Sequence, residues 1–150
     1  MDATAAIRIR RANERDIGEI MIIEKMSFTS PWTVDFFWCE LYNPVGFFYI
    51  IEVRKLLAGY IIFWILKNEA HIANVAIHPD CRKRGYGEYL LRWAIERIWK
   101  KGVATITLEV NEKNNAARNL YDKMGFKIVG KKAKYYENND NALMLARFLE

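Results

Sequence analysis

Between residues 69 and 101 the chain passes from a β-type run to a helical one through a turn rich in basic residues and glycine. No other stretch limits the possible fold so tightly. Glu69 to Ile77 reads as a strand, stopped by His78-Pro79-Asp80. From Gly85 to Lys101 the period changes: Leu90, Leu91, Ala94, Ile95 and Ile98 form one apolar stripe, and Gly102 supplies the stop. The turn between them is Arg82-Lys83-Arg84-Gly85-Tyr86-Gly87. A strand that feeds a long helix in this way belongs to a layered α/β protein.

The flanking segments fit that class. Ile7-Arg8-Ile9-Arg10 alternates as a first strand, and Asn13 can cap a helix with Ile17, Ile20, Met21 and Ile23 on one face. Ser30-Pro31-Trp32-Thr33 breaks that helix, and Thr33 caps a second one carrying Phe36, Phe37 and Leu41, which Asn43-Pro44 ends. Phe47 to Val53 and Leu57 to Leu66 read as strands joined by a turn near Arg54-Lys55. Ala104 to Val110 alternates again, with Ile106, Leu108 and Val110 on one side and Thr105, Thr107 and Glu109 on the other. Asn114 or Asn115 caps a short helix ending at Met124-Gly125. Strands follow from Phe126 to Val129 and, after the polar turn Asn138-Asn139-Asp140, from Leu143 to Phe148. The order β-α-α-β-β-β-α-β-α-β-β predicts one mixed α/β sheet with helices on its faces, in a single domain of 150 residues.

The glycine turn is a place where backbone alone can hold an anion. The first N–H groups of a helix lack internal partners and carry the positive end of its dipole. Glycines let that backbone approach without an intervening Cβ. Two familiar phosphate loops do not fit: Leu90 stands where a dinucleotide fingerprint needs its third glycine, and Glu88-Tyr89 follow Gly87 where a P-loop needs Lys and Ser or Thr. What remains is Arg-x-x-Gly-x-Gly, either a phosphate cradle or a Gly-containing connection beside a solvated basic run.

Composition removes several classes. The longest apolar run, Tyr60 to Leu66, is strand-sized, far below the roughly 20 residues of a membrane helix. The segment Met1-Asp2-Ala3-Thr4-Ala5-Ala6 has neither the basic nor the apolar region of a secretion signal. Cys39 and Cys81 are too few for a disulfide scaffold, and with His71 and His78 they form no metal pattern. These features point to a cytoplasmic protein without metal. A net charge of +5 suits an anionic ligand. Lys131, Lys132 and Lys134 read as a solvated hairpin, and no nucleic-acid partner is expected.

The run Asn74-Val75-Ala76-Ile77-His78-Pro79-Asp80-Cys81-Arg82-Lys83-Arg84-Gly85-Tyr86-Gly87-Glu88-Tyr89-Leu90-Leu91 resembles the acetyl-CoA signature of the GNAT superfamily of N-acetyltransferases. Leu108-Glu109-Val110, Asn114, Leu120-Tyr121 and Gly125-Phe126 resemble the RimI-type protein N-terminal acetyltransferases within it. Phe28-Thr29-Ser30-Pro31-Trp32 is similar to that group's Phe-x-x-Pro-Trp loop, with a longer gap before Pro-Trp. Tyr135-Tyr136-Glu137-Asn138-Asn139-Asp140-Asn141-Ala142 is similar to its Tyr-Tyr…Asp-Ala hairpin, although Asp140-Asn141-Ala142 departs from the usual Gly-Glu-Asp-Ala ending. The resemblance implies a central mixed sheet flanked by about four helices, with the strand before the turn splayed from its neighbour. Pantetheine would then pair with Val75, Ala76 and Ile77 like an added strand. Arg82, Lys83, Arg84, Gly85, Tyr86, Gly87 and Glu88 would surround the pyrophosphate, and Asn114 would reach pantetheine or cap its helix.

The same resemblance assigns the chemistry. Glu109, otherwise a solvated strand carboxylate, becomes the base that takes the amine proton through a water. Tyr121, otherwise a packing aromatic, becomes the acid for the departing sulfur, and its phenol (~10) and a thiol (~8.5) are nearly matched in pKa. A backbone N–H near Val75 to Ile77 would face the thioester oxygen. Trp32, Tyr135 and Tyr136 would line the acceptor side. Cys81 could suggest a covalent acetyl intermediate, but no triad accompanies it and the family transfers directly. The expectation is acetyl transfer from acetyl-CoA to a protein N-terminus, including that of a ribosomal protein. The alternatives are a GNAT acting on lysine or small amines, and a non-catalytic acyl-CoA-binding module.

Overall fold

The computed structural model describes residues 6–149, so the N-terminal segment read above for a secretion signal lies largely outside the described residues. Its elements follow the expected order: β1 (Ile7–Arg11), α1 (Ile17–Ser27), α2 (Val34–Leu41), β2 (Gly46–Val53), β3 (Leu56–Leu66), β4 (Glu69–Ile77), α3 (Tyr86–Lys100), β5 (Thr105–Asn111), α4 (Asn115–Lys123), β6 (Lys127–Lys132) and β7 (Ala142–Phe148). Boundaries differ mainly in the last two strands. Phe126 is buried ahead of β6, which runs on to Lys132.

Local chemistry accounts for the ends. Asn13 and Asp16 form a reciprocal capping box around a one-turn 3-10 helix that leads into α1. Thr33 caps α2 through the amide of Phe36, and Asn114 caps α4 through that of Ala117. Arg54 and Lys55 both take left-handed φ, which fits the tight hairpin between β2 and β3.

All seven strands form one sheet in the order β1-β2-β3-β4-β5-β7-β6, antiparallel except for β4 and β5. Its two faces bury separate cores. On one face α3 and α4 cover Ile61, Phe63, Leu108 and Val110; on the other α1 and α2 cover Phe48, Ile50, Tyr60 and Ile62.

Two irregularities in β4 shape everything that follows. First, Ile62 pairs with Asn74 and Phe63 with Ile72, so Ala73 is an extra, bulged residue. Ala70 and Ile72 before the bulge join the α3/α4 core; Ala73, Asn74 and Ala76 belong to the α1/α2 face. Second, the parallel pairing of β4 with β5 ends at Ile72 opposite Leu108. Beyond that pair the strands part, Ala73–Ile77 held only by β3 and Glu109–Asn111 only by β7.

Candidate active site

The gap between β4 and β5 collects most of the residues singled out in the sequence. His78 donates its amide to the carbonyl of Ala58 at 2.7 Å. Antiparallel alternation therefore aims the N–H and C=O of Ile77 and Val75 away from β3, into the gap. The Ile77 carbonyl is not paired with β3 and accepts from Arg82 Nε at 2.9 Å. Behind this edge, Gly59 lets β3 approach closely: an added Cβ would lie 2.5 Å from the Ala76 carbonyl oxygen.

At the end of β4 the chain makes a short 3-10 turn and enters α3. Lys83 and Gly85 adopt left-handed φ of 62° and 85°. Gly85 is the N-cap and offers no side-chain acceptor, and the first intrahelical bond runs from Tyr89 N–H to Gly85 C=O. The amides of Tyr86, Gly87 and Glu88 thus begin the helix without a side-chain cap, as an anion site requires. A Cβ added at Gly87 would make only ordinary contacts, with Ile77 Cγ1 at 3.6 Å and Leu120 Cδ2 at 3.7 Å.

The side chains of this turn divide their tasks. Tyr86 turns into the α3/α4 core and contributes only its amide to the turn surface. Arg82 is committed within the protein, bonding Ile77 O and, through Nη2, Ser27 Oγ at 2.9 Å. Glu88, an acid in a basic turn, is neutralised by Arg92 at 3.1 Å and Lys123 at 2.6 Å, so it also links α3 to α4. Lys83 and Arg84 remain exposed.

Across the gap, Glu109 is the first residue of β5 past its last pairing with β4. Its parity places it with Thr105 and Thr107, opposite the buried Leu108 and Val110. One carboxylate oxygen lies 3.1 Å from Lys132 Nζ, and the neighbouring Tyr135 hydroxyl is held above its ordinary pKa chiefly by a hydrogen bond to the same carboxylate. Lys132 also sits 4.9 Å over the Tyr135 ring. The lysines of the basic hairpin are exposed, as expected, and two of them also pair with carboxylates: Lys132 with Glu109 and Lys131 with Glu112 at 2.8 Å. The hairpin itself is fastened despite its unusual ending, because Asp140 accepts from Asn111 at 2.9 Å and pairs with Lys113.

Tyr121 comes from the opposite face, where it packs edge-on against Phe126 with ring centroids 5.9 Å apart. Burial pushes its hydroxyl up to about 12, with Tyr136 adding to the effect, so the near match to a thiol (~8.5) expected of an ordinary phenol does not hold at this residue. No side chain among the described residues is hydrogen-bonded to it. Tyr136 is likewise pushed up to about 12, by burial first and then by Glu109 and Tyr135. Asn114 spends its side-chain oxygen on the α4 cap at 3.2 Å, the plainer of the two readings offered for it. Trp32 is half-buried, its ring 5.4 Å from that of Phe37 and 5.9 Å from that of Phe36.

A splayed parallel pair and an uncapped glycine turn thus lie together, with Glu109 on the β5 side of the gap. Residues 17–126 match the family model described as Acetyltransferase (GNAT) family. The chain belongs to the GNAT acetyltransferases. Among its relatives, a Bacillus subtilis protein provisionally named ribosomal protein bS18-alanine N-acetyltransferase is 40% identical over 147 residues, covering 97% of this chain and 96% of that one. The Escherichia coli K12 ribosomal protein bS18-alanine N-acetyltransferase is 32% identical, over 83% of this chain and 84% of its own. The crystal structure of the ribosomal-protein-S18-alanine N-acetyltransferase from Escherichia coli superposes with a TM-score of 0.90 at 26% identity, covering 97% and 95%. The seven-stranded sheet with four helices is therefore the GNAT fold, as the motifs implied. Two features of this acetyltransferase site escaped the sequence reading: Lys132 beside Glu109, and the bulge at Ala73. Cys39 and Cys81 are free, and no cluster of metal-ligating residues occurs among the described residues.

Proposed function

We propose that this domain transfers acetyl from acetyl-CoA to the α-amino group of a protein N-terminus, a ribosomal protein among its substrates, in the cytoplasm and without a metal. The observation that carries this reading is the opening of β4 from β5 at Ile72–Leu108, with Glu109 on one lip and the inward-facing backbone of Val75 and Ile77 on the other. The names of the 40% and 32% identical relatives supply the acceptor class.

In this mechanism pantetheine lies along Val75–Ile77, Ala76 contributing through its backbone only, and the diphosphate sits on the amides of Tyr86, Gly87 and Glu88. Lys83 and Arg84 supply positive charge at its rim. Arg82 shapes the site through its bonds to Ile77 and Ser27, and Asn114, whose Oδ1 caps α4, offers its Nδ2 to pantetheine. The acceptor enters from the α1/α2 face, between the Trp32 loop and the Tyr135–Tyr136 hairpin. Deprotonating an α-amine (pKa ~8) at pH 7 costs roughly 1 kcal/mol, against roughly 5 for a lysine. A single carboxylate acting through water suffices for the first, and Glu109 is placed for it. The amine attacks the thioester carbonyl, whose oxygen is met by a β4 amide. As the C–S bond breaks, Tyr121 delivers its proton to the sulfur from the opposite lip.

Replacing Glu109 by Gln and Tyr121 by Phe tests these roles with acetyl-CoA and an Ala-initiated peptide. Each should lower kcat by about 10²–10⁴-fold, the usual yield of a positioned acid or base. Coenzyme A affinity should stay near wild type. Full turnover in both variants would remove the acid–base assignment.

A further inference from the structure

The α1/α2 core contains a charged group that the reaction does not use. Glu24, at the start of the last turn of α1, is 1% exposed. Its Oε1 accepts from the Tyr60 hydroxyl of β3 at 2.5 Å and from Asn74 Nδ2 of β4 at 2.8 Å. Its Oε2 accepts from the main-chain N–H of Trp32 at 2.9 Å. Of the three partners, the Trp32 main-chain N–H can only donate, so the site demands an acceptor at Oε2.

The positions of those donors give the arrangement its meaning. Asn74 reaches Glu24 only because the bulge at Ala73 turns the following residues to this face, immediately beside the gap. Trp32 sits in the loop between α1 and α2. That loop carries Pro31, which has no N–H, and its Ser30 and Thr33 amides bond to no protein group among the described residues. One carboxylate thus fixes the acceptor loop against the strand that polarises the thioester. Arg82 repeats the link one turn on, joining Ser27 of α1 to the Ile77 carbonyl of β4.

We propose that Glu24 is a positioning residue for the acceptor peptide, holding the Trp32 loop in register with β4 through its Oε2. The proposal deepens the N-terminal acetyltransferase reading and rests on it for its kinetic arm. A loop that spends less time in its binding-competent position lowers apparent affinity in proportion to the lost population. Acetyl-CoA, gripped from the other face, is not affected.

The variant Glu24→Met keeps the length of the side chain and removes both acceptors, so the Trp32 N–H, whose direction is fixed by the backbone, loses its partner. Leaving a buried donor unpaired predicts about a tenfold rise in KM for an N-terminal peptide. KM for acetyl-CoA and kcat should stay within about twofold. Glu24→Gln should restore the peptide KM, because its amide oxygen can turn to Trp32 while the Tyr60 hydroxyl accepts and the Asn74 carboxamide reverses. Tyr60→Phe, which removes an Oε1 donor and spares Trp32, serves as the comparison and should leave the peptide KM near wild type. Amide hydrogen exchange gives a readout free of any activity. In the wild type the Trp32 amide should be protected while those of Ser30 and Thr33 exchange fast, and Glu24→Met should abolish that protection. An unprotected Trp32 amide in the wild type overturns the proposal even if the variant does not fold. So does an unchanged peptide KM in Glu24→Met, a parallel rise in both KM values, or the same peptide-selective rise in Tyr60→Phe. If the wild type acetylates no peptide N-terminus, the functional reading falls and the exchange result judges Glu24 alone.

Discussion

Gly59 occupies a position where no side chain fits, since a Cβ there would meet the Ala76 carbonyl at 2.5 Å and Ile77 Cδ1 at 2.6 Å. Backbone cannot yield as a flexible side-chain tip can, so Gly59→Ala should push β4 toward the gap. Overpacking of this kind costs about 1–3 kcal/mol. A thermal melt should register that loss, and KM for acetyl-CoA should rise, because the displaced strand is the one assigned to pantetheine. Tyr121 yields a second expectation. With its hydroxyl pushed up to about 12, the phenol stays protonated well past the pKa of free tyrosine. The kcat–pH profile should then show no alkaline fall attributable to a tyrosine up to roughly pH 11, whereas an ordinary phenol would fail near ~10. Glu109 could be picked from the sequence by strand parity together with the flanking motif. Lys132 could not: it stands 23 residues away in a run of lysines, and only the β5-β7-β6 pairing brings it alongside.

The start of α3 was the most legible element, because a period change, a stop and two glycines coincide within ten residues. Its predicted consequence is thermodynamic. Charge-assisted bonds to a diphosphate contribute about 1.5–3 kcal/mol each, so pantetheine lacking that group should bind at least about 100-fold more weakly than coenzyme A in a calorimetric titration. Strand β4 was legible as a strand but not in its detail. Burial alternates without a break from Glu69 to Ile77, so nothing in the apolar pattern marks the bulge at Ala73. The change of face shows only when the partners are known, Ile72 among the α3/α4 side chains and Asn74 against Glu24. For the same reason Glu24 reads in the sequence as one more polar helix residue, although it is almost fully buried.

The sheet keeps the α3/α4 face, proposed for the cofactor, apart from the α1/α2 face, proposed for the acceptor, and opens between them where β4 and β5 part. Element order and class followed from periodicity and turn chemistry; strand order and the site of parting depend on pairings between distant segments that no local pattern encodes. Packing around the parting also sets a pH dependence of stability. His71, half-buried with Nδ1 2.9 Å from Thr107 Oγ1 and its ring 5.6 Å from that of Trp64, is held below its usual pKa by desolvation, which Glu109 only partly opposes. A histidine depressed in the folded state is protonated first in the unfolded chain. Stability should therefore fall as pH drops below about 6.5, and His71→Gln should flatten the decline in melting temperature between pH 8 and pH 5. The division of faces is tested most directly by a single peptide that begins with alanine and carries an internal lysine. After incubation with acetyl-CoA, fragment-ion mass spectrometry should find the acetyl group on the α-amine alone. Acetyl on the lysine side chain, or no transfer under conditions where coenzyme A binds, would contradict the account.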